Sequence, residues 1–286
     1  GEYFDIFRRT PINDWHIQNK AKFENVGQWK RAWYYPINGE SMHEAVQRES
    51  KAARNSAGIL DASTLGKIDI QGTDASEFLN RVYTNAWLKL PVGKARYGVM
   101  LREDGIVMDD GTTTRISENH YHMTTTTAQA ANILSHLEYY LQVVWPELNV
   151  NVVSTTEQWA GAAIAGPKSR DVLRKLFPDT KVSNEGLPFM GYVEVNLFGI
   201  HARIFRISFS GELAYEVNVE SDNGNFMWEK IMEIGKEFEI QPYGTEALST
   251  LRIEMGHVAG SELDGRTIPY DNGLQGLVSK KKDFIG

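Results

Sequence analysis

The feature that most constrains the fold of this 286-residue chain is an internal repeat. One copy begins at Lys67 and the other at Ala162, and each starts with a short strand pattern that ends in glycine, at Gly72 and at Gly166. A helical pattern with one apolar face follows each glycine. Because two copies agree, the sequence predicts a duplicated structural unit.

Each copy continues through two more strand patterns and a second amphipathic helix. In the first copy the paired strands lie at residues 97–101 and 106–116, and residues 150–153 are a candidate closing strand. In the second copy they lie at residues 202–208 and 214–219. This order is typical of a ferredoxin-like, split β-α-β unit, so we predict an α+β fold that contains the unit twice. Two such units commonly enclose a ligand-binding cleft, although the repeat is equally compatible with a scaffold that binds nothing.

The repeat also sets the expected division of the chain. We assign residues 1–57 to an N-terminal wrapping segment and helix, residues 58–155 to the first α+β unit and residues 156–278 to the second. Residues 279–286 remain as a short C-terminal piece. The aromatic-rich stretch before residue 36 is predicted to be irregular, and the apolar spacing that follows it indicates a helix.

Composition excludes several classes of partner. The formal net charge of −7 would attract neither a nucleic-acid backbone nor an anionic membrane. The chain has no cysteine, which removes disulfides and thiol nucleophiles and fits a reducing cytoplasm. We find no apolar run of membrane length. The sequence therefore predicts a cytoplasmic protein that binds neither nucleic acid nor membrane.

The common nucleotide and hydrolase motifs are absent. The chain contains no dinucleotide fingerprint, no phosphate-binding loop and no Gly-x-Ser-x-Gly elbow. His120 and His122 could share one face of a strand, but no third metal ligand lies at a recognisable spacing. We interpret them as ordinary strand histidines and predict no metal site.

Two acids in the returning strands are candidates for chemistry. Asp109 and Asp110 are adjacent, so strand alternation would place them on opposite faces, with at most one towards the core. A turn at Gly111 that exposes both is the alternative. In the second copy Glu216 lies between Tyr215 and Val217, where a solvent-facing position is the commoner explanation. The pattern alone leaves both alternatives open.

Four segments stand out by their order and spacing: GILDASTLGKI at 58–68, YGVML at 97–101, DGIVMDD at 104–110 and SFSGELAYE at 208–216. Together they resemble the aminomethyltransferase family, which includes the glycine cleavage T-protein. A further set resembles the folate-binding half of the sarcosine oxidase alpha subunits in that family. It comprises VGQWKRAWYYP at 26–36, RVYTNAW at 81–87, YGTE at 243–246 and SKKKDFIG at 279–286.

The resemblance implies a tetrahydrofolate-binding fold and one-carbon transfer from a methylamine-derived imine to the folate, giving 5,10-methylenetetrahydrofolate. Asp110 falls on the family's catalytic aspartate, where a fixed carboxylate can stabilise an iminium ion and accept its proton. Glu216 falls on the glutamate that binds the donor edge of the pteridine. Tyr97 and Phe209 fall on residues of the folate pocket.

The resemblance also implies a flavoprotein partner subunit of a sarcosine oxidase complex. Residues 279–286 resemble the beginning of the family's C-terminal β-barrel, so we expect that barrel to be absent, together with the dinucleotide-binding half and its redox chemistry. Phe209 stands where several relatives have tyrosine, and Leu248 where the T-protein has arginine. The alternatives are a non-catalytic folate-binding or subunit-docking module, and a methyltransferase with another donor.

Overall fold

The computed structural model describes residues 6–286, which form two compact units. One unit contains Leu65–Thr156 and Val258–Gly286. The other contains the described part of Gly1–Thr64 together with Glu157–His257. Among residues 6–286, no helix has both the length and the apolar character needed to cross a membrane.

The N-terminal stretch is regular where the sequence predicted irregular structure. Strands β1, β2 and β3 form a small sheet in the order β1-β3-β2, and the prediction of an irregular segment is wrong there. Gly27, at φ 57°, permits the tight turn between two of these strands, a conformation that glycine adopts without steric cost. The elements are β1 (Arg8–Arg9), α1 (Asn13–Gln18), β2 (Lys22–Val26), β3 (Trp29–Tyr34), α2 (Met42–Asn55) and β4 (Ala57–Asp61).

Helix α2 begins where the sequence predicts a helix, and its first turn explains why. The Ser41 side chain accepts a hydrogen bond from the backbone N–H of Glu44, while the Glu44 carboxylate accepts one from the backbone N–H of Ser41. This reciprocal capping box satisfies two backbone donors that the first turn of a helix leaves unpaired.

The first copy of the repeat forms a five-stranded antiparallel sheet in the order β6-β7-β8-β5-β9. Helices α3 and α4 pack on one face through a core that includes Ile70, Phe78, Leu79, Met123 and Ile133. The elements are β5 (Gly66–Gln71), α3 (Ala75–Val82), β6 (Lys94–Leu101), β7 (Val107–Ser117), β8 (His120–Thr125), α4 (Ala130–Tyr139) and β9 (Asn151–Ser154).

The second copy forms a six-stranded sheet in the order β11-β12-β13-β10-β4-β14. Helices α5 and α6 pack on one face, and α2 and α7 pack on part of the other. The elements are β10 (Trp159–Ala165), α5 (Ser169–Leu176), β11 (Tyr192–Leu197), β12 (Ile200–Phe205), β13 (Ala214–Glu220), α6 (Gly224–Gly235), β14 (Ile240–Pro242) and α7 (Thr245–Met255).

The predicted duplication is confirmed, because the two copies share one element order and one sheet order. The order β6-β7-β8-β5-β9 matches β11-β12-β13-β10-β14, with β4 inserted before β14. Strands β8 and β9 both run antiparallel to β5 between them, so β8, α4 and β9 form the predicted split β-α-β unit. The sheets are open and not barrels.

Each copy contains a three-stranded meander where the sequence indicated a single hairpin. The predicted hairpins are β6–β7 in the first copy and β12–β13 in the second, which are not equivalent positions in the repeat. Strand β8, which only Glu118 and Asn119 separate from β7, contains His120 and His122, which the sequence analysis placed on a strand without giving its bounds. Strand β11 was also missed, although Val193, Val195 and Leu197 alternate there with Glu194 and Asn196.

The unit boundaries differ from the predicted ones at two places. Strand β4 pairs with β10 and β14, so residues 58–64 belong with the second copy and not with the first. Residues 258–286 return to the first copy, where the Val107 N–H bonds to the Thr267 carbonyl and the Ile285 N–H to the Arg81 carbonyl. Ile285 is buried in that core, so residues 279–286 pack with the first α+β unit.

Candidate functional site

Strand register separates the two adjacent aspartates. Asp109 pairs with Met100, and Asp110 pairs with Val99 on the same strand, β6. Because directly paired residues point to the same face, Asp109 shares the helix-covered face with Met100, a core residue. Asp110 lies on the opposite face with Val99 and Tyr97. The predicted separation is therefore observed, and both acids lie within β7 and not in a turn.

Asp110 is held by a tyrosine on the neighbouring strand. The Tyr97 hydroxyl donates a hydrogen bond to Asp110 Oδ2 at 2.7 Å, and Asp110 is only 9% exposed. Burial raises the pKa of the Asp110 carboxyl, while the Tyr97 hydrogen bond opposes that rise. Burial and the negative charge of Asp110 raise the pKa of Tyr97, so Tyr97 remains a hydrogen-bond donor at neutral pH.

The C-terminal residues of the same unit cover part of the face that carries Asp110. Val99, Leu101 and Val107 form an apolar cluster with Tyr97 and with side chains from residues 263–284. The removal of water from this face explains the raised pKa of the nearby carboxylate. The sequence gives no sign of this cover, because the contacting residues are more than 150 positions away.

Asp109 has a different set of partners. The Thr126 hydroxyl donates a hydrogen bond to its Oδ1 at 2.8 Å, and the Thr126 backbone N–H donates one to its Oδ2 at 3.1 Å. Burial, with the charge of Asp110 adding to it, raises the pKa of Asp109 to about 7 in spite of these bonds. Sequence reasoning missed Thr126, which follows β8 immediately.

Packing behind Tyr97 requires glycine at the next position. A Cβ atom on Gly98 would lie 2.6 Å from the Tyr83 ring and 2.8 Å from the Trp87 ring. Those two rings stack with their centroids 4.6 Å apart, and the Tyr83 hydroxyl hydrogen-bonds Thr113 Oγ1 at 3.0 Å. The close stack fixes β6 beside β7 and thereby fixes the position of Tyr97.

Glu216 lies in the other unit, on strand β13. Its neighbours Tyr215 and Val217 belong to the core beneath the sheet, so alternation places Glu216 on the opposite face. The residues paired with it are Phe205 on β12 and Ala163 on β10. Glu216 is partly buried between these apolar partners and is not fully solvent-exposed.

Phe209 and Leu248 belong to the same unit as Glu216. Phe209 lies in the turn that precedes β13 and is 39% exposed. The turn is braced by the Arg54 Nη1 bond to Glu212 Oε1 at 2.6 Å and by the Ser208 hydroxyl bond to the Glu212 carbonyl at 2.6 Å. Leu248 packs against the apolar cluster between α2 and α7.

His120 and His122 lie on strand β8, and both rings contact Asp69 on strand β5. His122 Nδ1 lies 2.6 Å from Asp69 Oδ1, and His120 Nε2 lies 3.0 Å from Asp69 Oδ2. Burial opposes ionisation of Asp69, but the hydrogen bonds from both rings hold its pKa well below the usual range. The ring nitrogens that face Asp69 are therefore occupied by a carboxylate.

The raised pKa of Asp109 predicts a specific pH dependence of stability. Between about pH 4 and about pH 7 the folded state binds a proton on Asp109 more tightly than the unfolded state does. The free energy of unfolding therefore falls as the pH rises through this window. Asp109→Asn has no carboxyl to bind this proton. As the pH rises from 4 to 8, the free energy of unfolding of the variant should therefore increase relative to that of wild type by up to a few kcal/mol, measured by urea unfolding.

Asp179→Asn is the control, because Asp179 is exposed and its replacement removes a charge without touching the site. Parallel stability curves for wild type and Asp109→Asn across this window would contradict the assignment of a proton to Asp109.

Comparison with known proteins identifies the family of this chain. The chain matches the GCVT N-terminal domain over residues 12–282. It is 54% identical over 288 residues to sarcosine oxidase subunit alpha from Corynebacterium sp. (strain P-1), a match that covers 100% of this chain and 30% of that protein. The chain thus spans less than a third of that relative's length.

Other relatives are aminomethyltransferases, of whose length this chain covers a larger share. The enzyme from Chloroherpeton thalassium is 31% identical, with 97% of this chain and 73% of that protein covered. The crystal structure of glycine cleavage system aminomethyltransferase T from Bartonella henselae superposes with a TM-score of 0.84 at 25% identity, covering 98% of this chain and 72% of that one. The family match and the agreement in fold show that this chain belongs to the GCVT aminomethyltransferase family.

Proposed function

We propose that this chain transfers a one-carbon unit from a sarcosine-derived imine to tetrahydrofolate and thereby forms 5,10-methylenetetrahydrofolate. The observation that carries the proposal is the Tyr97–Asp110 hydrogen bond on the face of the sheet opposite its helices. A carboxylate held by a neutral donor in a partly dehydrated setting suits the stabilisation of an iminium ion. Membership of an aminomethyltransferase family supports the same chemistry.

The proposed reaction balances without a metal or an oxidant at this site. The imine CH2=N–R arrives already oxidised, and the two folate amines form two new C–N bonds to its methylene carbon. The bond from that carbon to the original nitrogen breaks, and the two folate N–H protons leave with the glycine nitrogen. Asp110 would accept a proton from a folate amine and return it to the departing amine.

Glu216, Phe209 and Tyr97 have proposed roles in binding the folate. Glu216 would accept hydrogen bonds from the pteridine amino and ring N–H groups, because a carboxylate complements a donor edge. Phe209 would offer its exposed ring to the ligand, and Tyr97 would line the pocket beside Asp110. The half-exposure of Phe209 and the partial burial of Glu216 support these assignments.

The proposed setting is a sarcosine oxidase complex in the cytoplasm. A flavoprotein partner subunit would oxidise sarcosine and supply the imine, as the similarity to sarcosine oxidase alpha subunits supports. The second candidate is a non-catalytic folate-binding or subunit-docking module. It would need the proposed Glu216 and Phe209 contacts but no catalytic role for Asp110.

Replacement of Asp110 tests the transfer step. Asp110→Asn keeps the shape of the side chain but removes the negative charge, so transfer should slow about a hundredfold or more. Binding of tetrahydrofolate should change much less. The measurement is methylenetetrahydrofolate formed per sarcosine oxidised by the complete oxidase that we propose carries this chain.

Asp109→Asn is the matched control, since Asp109 is the adjacent acid on the opposite face. If Asp109→Asn abolishes transfer while Asp110→Asn leaves it intact, the wrong acid has been chosen. If neither variant affects transfer, the binding-module alternative is correct.

Replacement of Glu216 tests the pteridine contact. Loss of a charge-assisted acceptor should weaken tetrahydrofolate binding about ten- to a hundredfold in Glu216→Ala, measured by calorimetry. Glu220→Ala is the control, because Glu220 lies on the same strand and face but at its exposed end. Equal affinity of Glu216→Ala and wild type would refute this contact.

A further inference from the structure

We propose that His257 is an additional folate-contacting residue, which forms with Phe209 a single aromatic platform for the flat pterin ring. The inference rests on the proposed function and deepens it, because it identifies the surface that would hold the face of the ring. Sequence reasoning assigned no role to His257. Both residues lie in the unit that contains Glu216.

The two rings are nearly parallel and are joined by a hydrogen bond. Their centroids lie 5.7 Å apart with an interplanar angle of 25°, an offset-stacked arrangement. His257 Nδ1 lies 2.9 Å from the Phe209 carbonyl oxygen. A carbonyl only accepts hydrogen bonds, so Nδ1 carries the proton and, in the neutral ring, Nε2 is an acceptor.

The backbone of His257 is fixed at the end of a helix. Helix α7 ends at Met255, and Gly256 at φ 73° reverses the chain. The His257 N–H then donates to the Arg252 carbonyl at 3.0 Å, and Arg252 Nη1 donates to the His257 carbonyl at 3.1 Å. These bonds fix the backbone of His257, and the Nδ1 bond to the Phe209 carbonyl holds its ring beside Phe209.

The turn that carries Phe209 is fixed by contacts other than the His257 bond. Arg54 and Ser208 brace it through Glu212, and Ser210 is only 2% exposed. Gly211, at φ 82°, lies against the Met255 side chain, so the turn packs on the end of α7. The two rings are therefore positioned before any ligand binds, which reduces the entropy lost on binding.

The exposure of Phe209 is unexplained by packing alone. A phenylalanine held by a braced turn with 39% of its surface in solvent contributes less to the core than a buried ring would. A stacking surface of this kind suits the face of a flat heteroaromatic ligand. The pyrimidine ring of a reduced pterin is such a ligand.

Three substitutions at His257 separate the ring from its hydrogen bond. His257→Asn keeps a side-chain donor in the place of Nδ1 but removes the ring. His257→Phe keeps a stacking ring but removes both nitrogens. His257→Ala removes both the ring and its hydrogen bond. Far-ultraviolet circular dichroism and thermal unfolding identify any variant that fails to fold.

Affinity for tetrahydrofolate, measured by tryptophan fluorescence, should fall about three- to tenfold in His257→Asn and in His257→Ala. His257→Phe should bind within about twofold of wild type. The same losses are expected with 6-methyltetrahydropterin, which has the ring but no glutamate tail. This second probe separates a contact with the ring from one with the tail.

If His257→Asn binds tetrahydrofolate as tightly as wild type does, the imidazole ring is dispensable and the proposed platform is wrong. Equal losses in His257→Phe and His257→Ala would also overturn it, because a nitrogen and not the ring face would make the contact. If the wild-type chain binds no tetrahydrofolate, the proposed function itself fails. If the wild type binds and Glu216→Ala weakens binding while His257→Asn does not, only this inference fails.

Discussion

The antiparallel pairing of β6 with β7 is the interaction on which the first unit's candidate site depends. It places Val99 opposite Asp110 and Met100 opposite Asp109, and alternation then sends the two carboxylates to opposite faces. A shift of one residue would exchange their environments. The stack of Tyr83 on Trp87 occupies the space beside Gly98, so the pairing is supported by packing as well as by backbone hydrogen bonds.

The duplicated topology gives the two copies different candidate chemistry. In the first copy the residues of interest lie on the strands β6 and β7, where an aspartate bonds to a tyrosine hydroxyl. In the second copy they lie on β13 and in the turn before it, where Glu216 has apolar cross-strand neighbours. These positions are not equivalent within the repeat, so duplication supplied two similar scaffolds without duplicating one set of side chains. Function within such a fold is set by the side chains at each site.

The sequence predicted the duplicated α+β fold because periodicity and glycine-terminated strands recur in both copies. It also predicted that Asp109 and Asp110 point to opposite faces, since alternation is a local property of a strand. It could not predict that β4 joins the second sheet, or that residues 258–286 return to cover Tyr97, because such pairings depend on distant residues. The contact of Thr126 with Asp109 was not predicted for the same reason, because the two residues are 17 positions apart.

The most direct test of the account is the distance from the Asp110 carboxylate to bound folate. A crystal structure of this chain with tetrahydrofolate should place an Asp110 oxygen within about 3.5 Å of a folate amine nitrogen that receives the one-carbon unit, since a proton acceptor must be within hydrogen-bond reach or one water away. The Tyr97 hydroxyl should still donate to the same carboxylate. Folate bound with its reactive nitrogens far from Asp110, or with Asp110 turned into the core, would contradict the account.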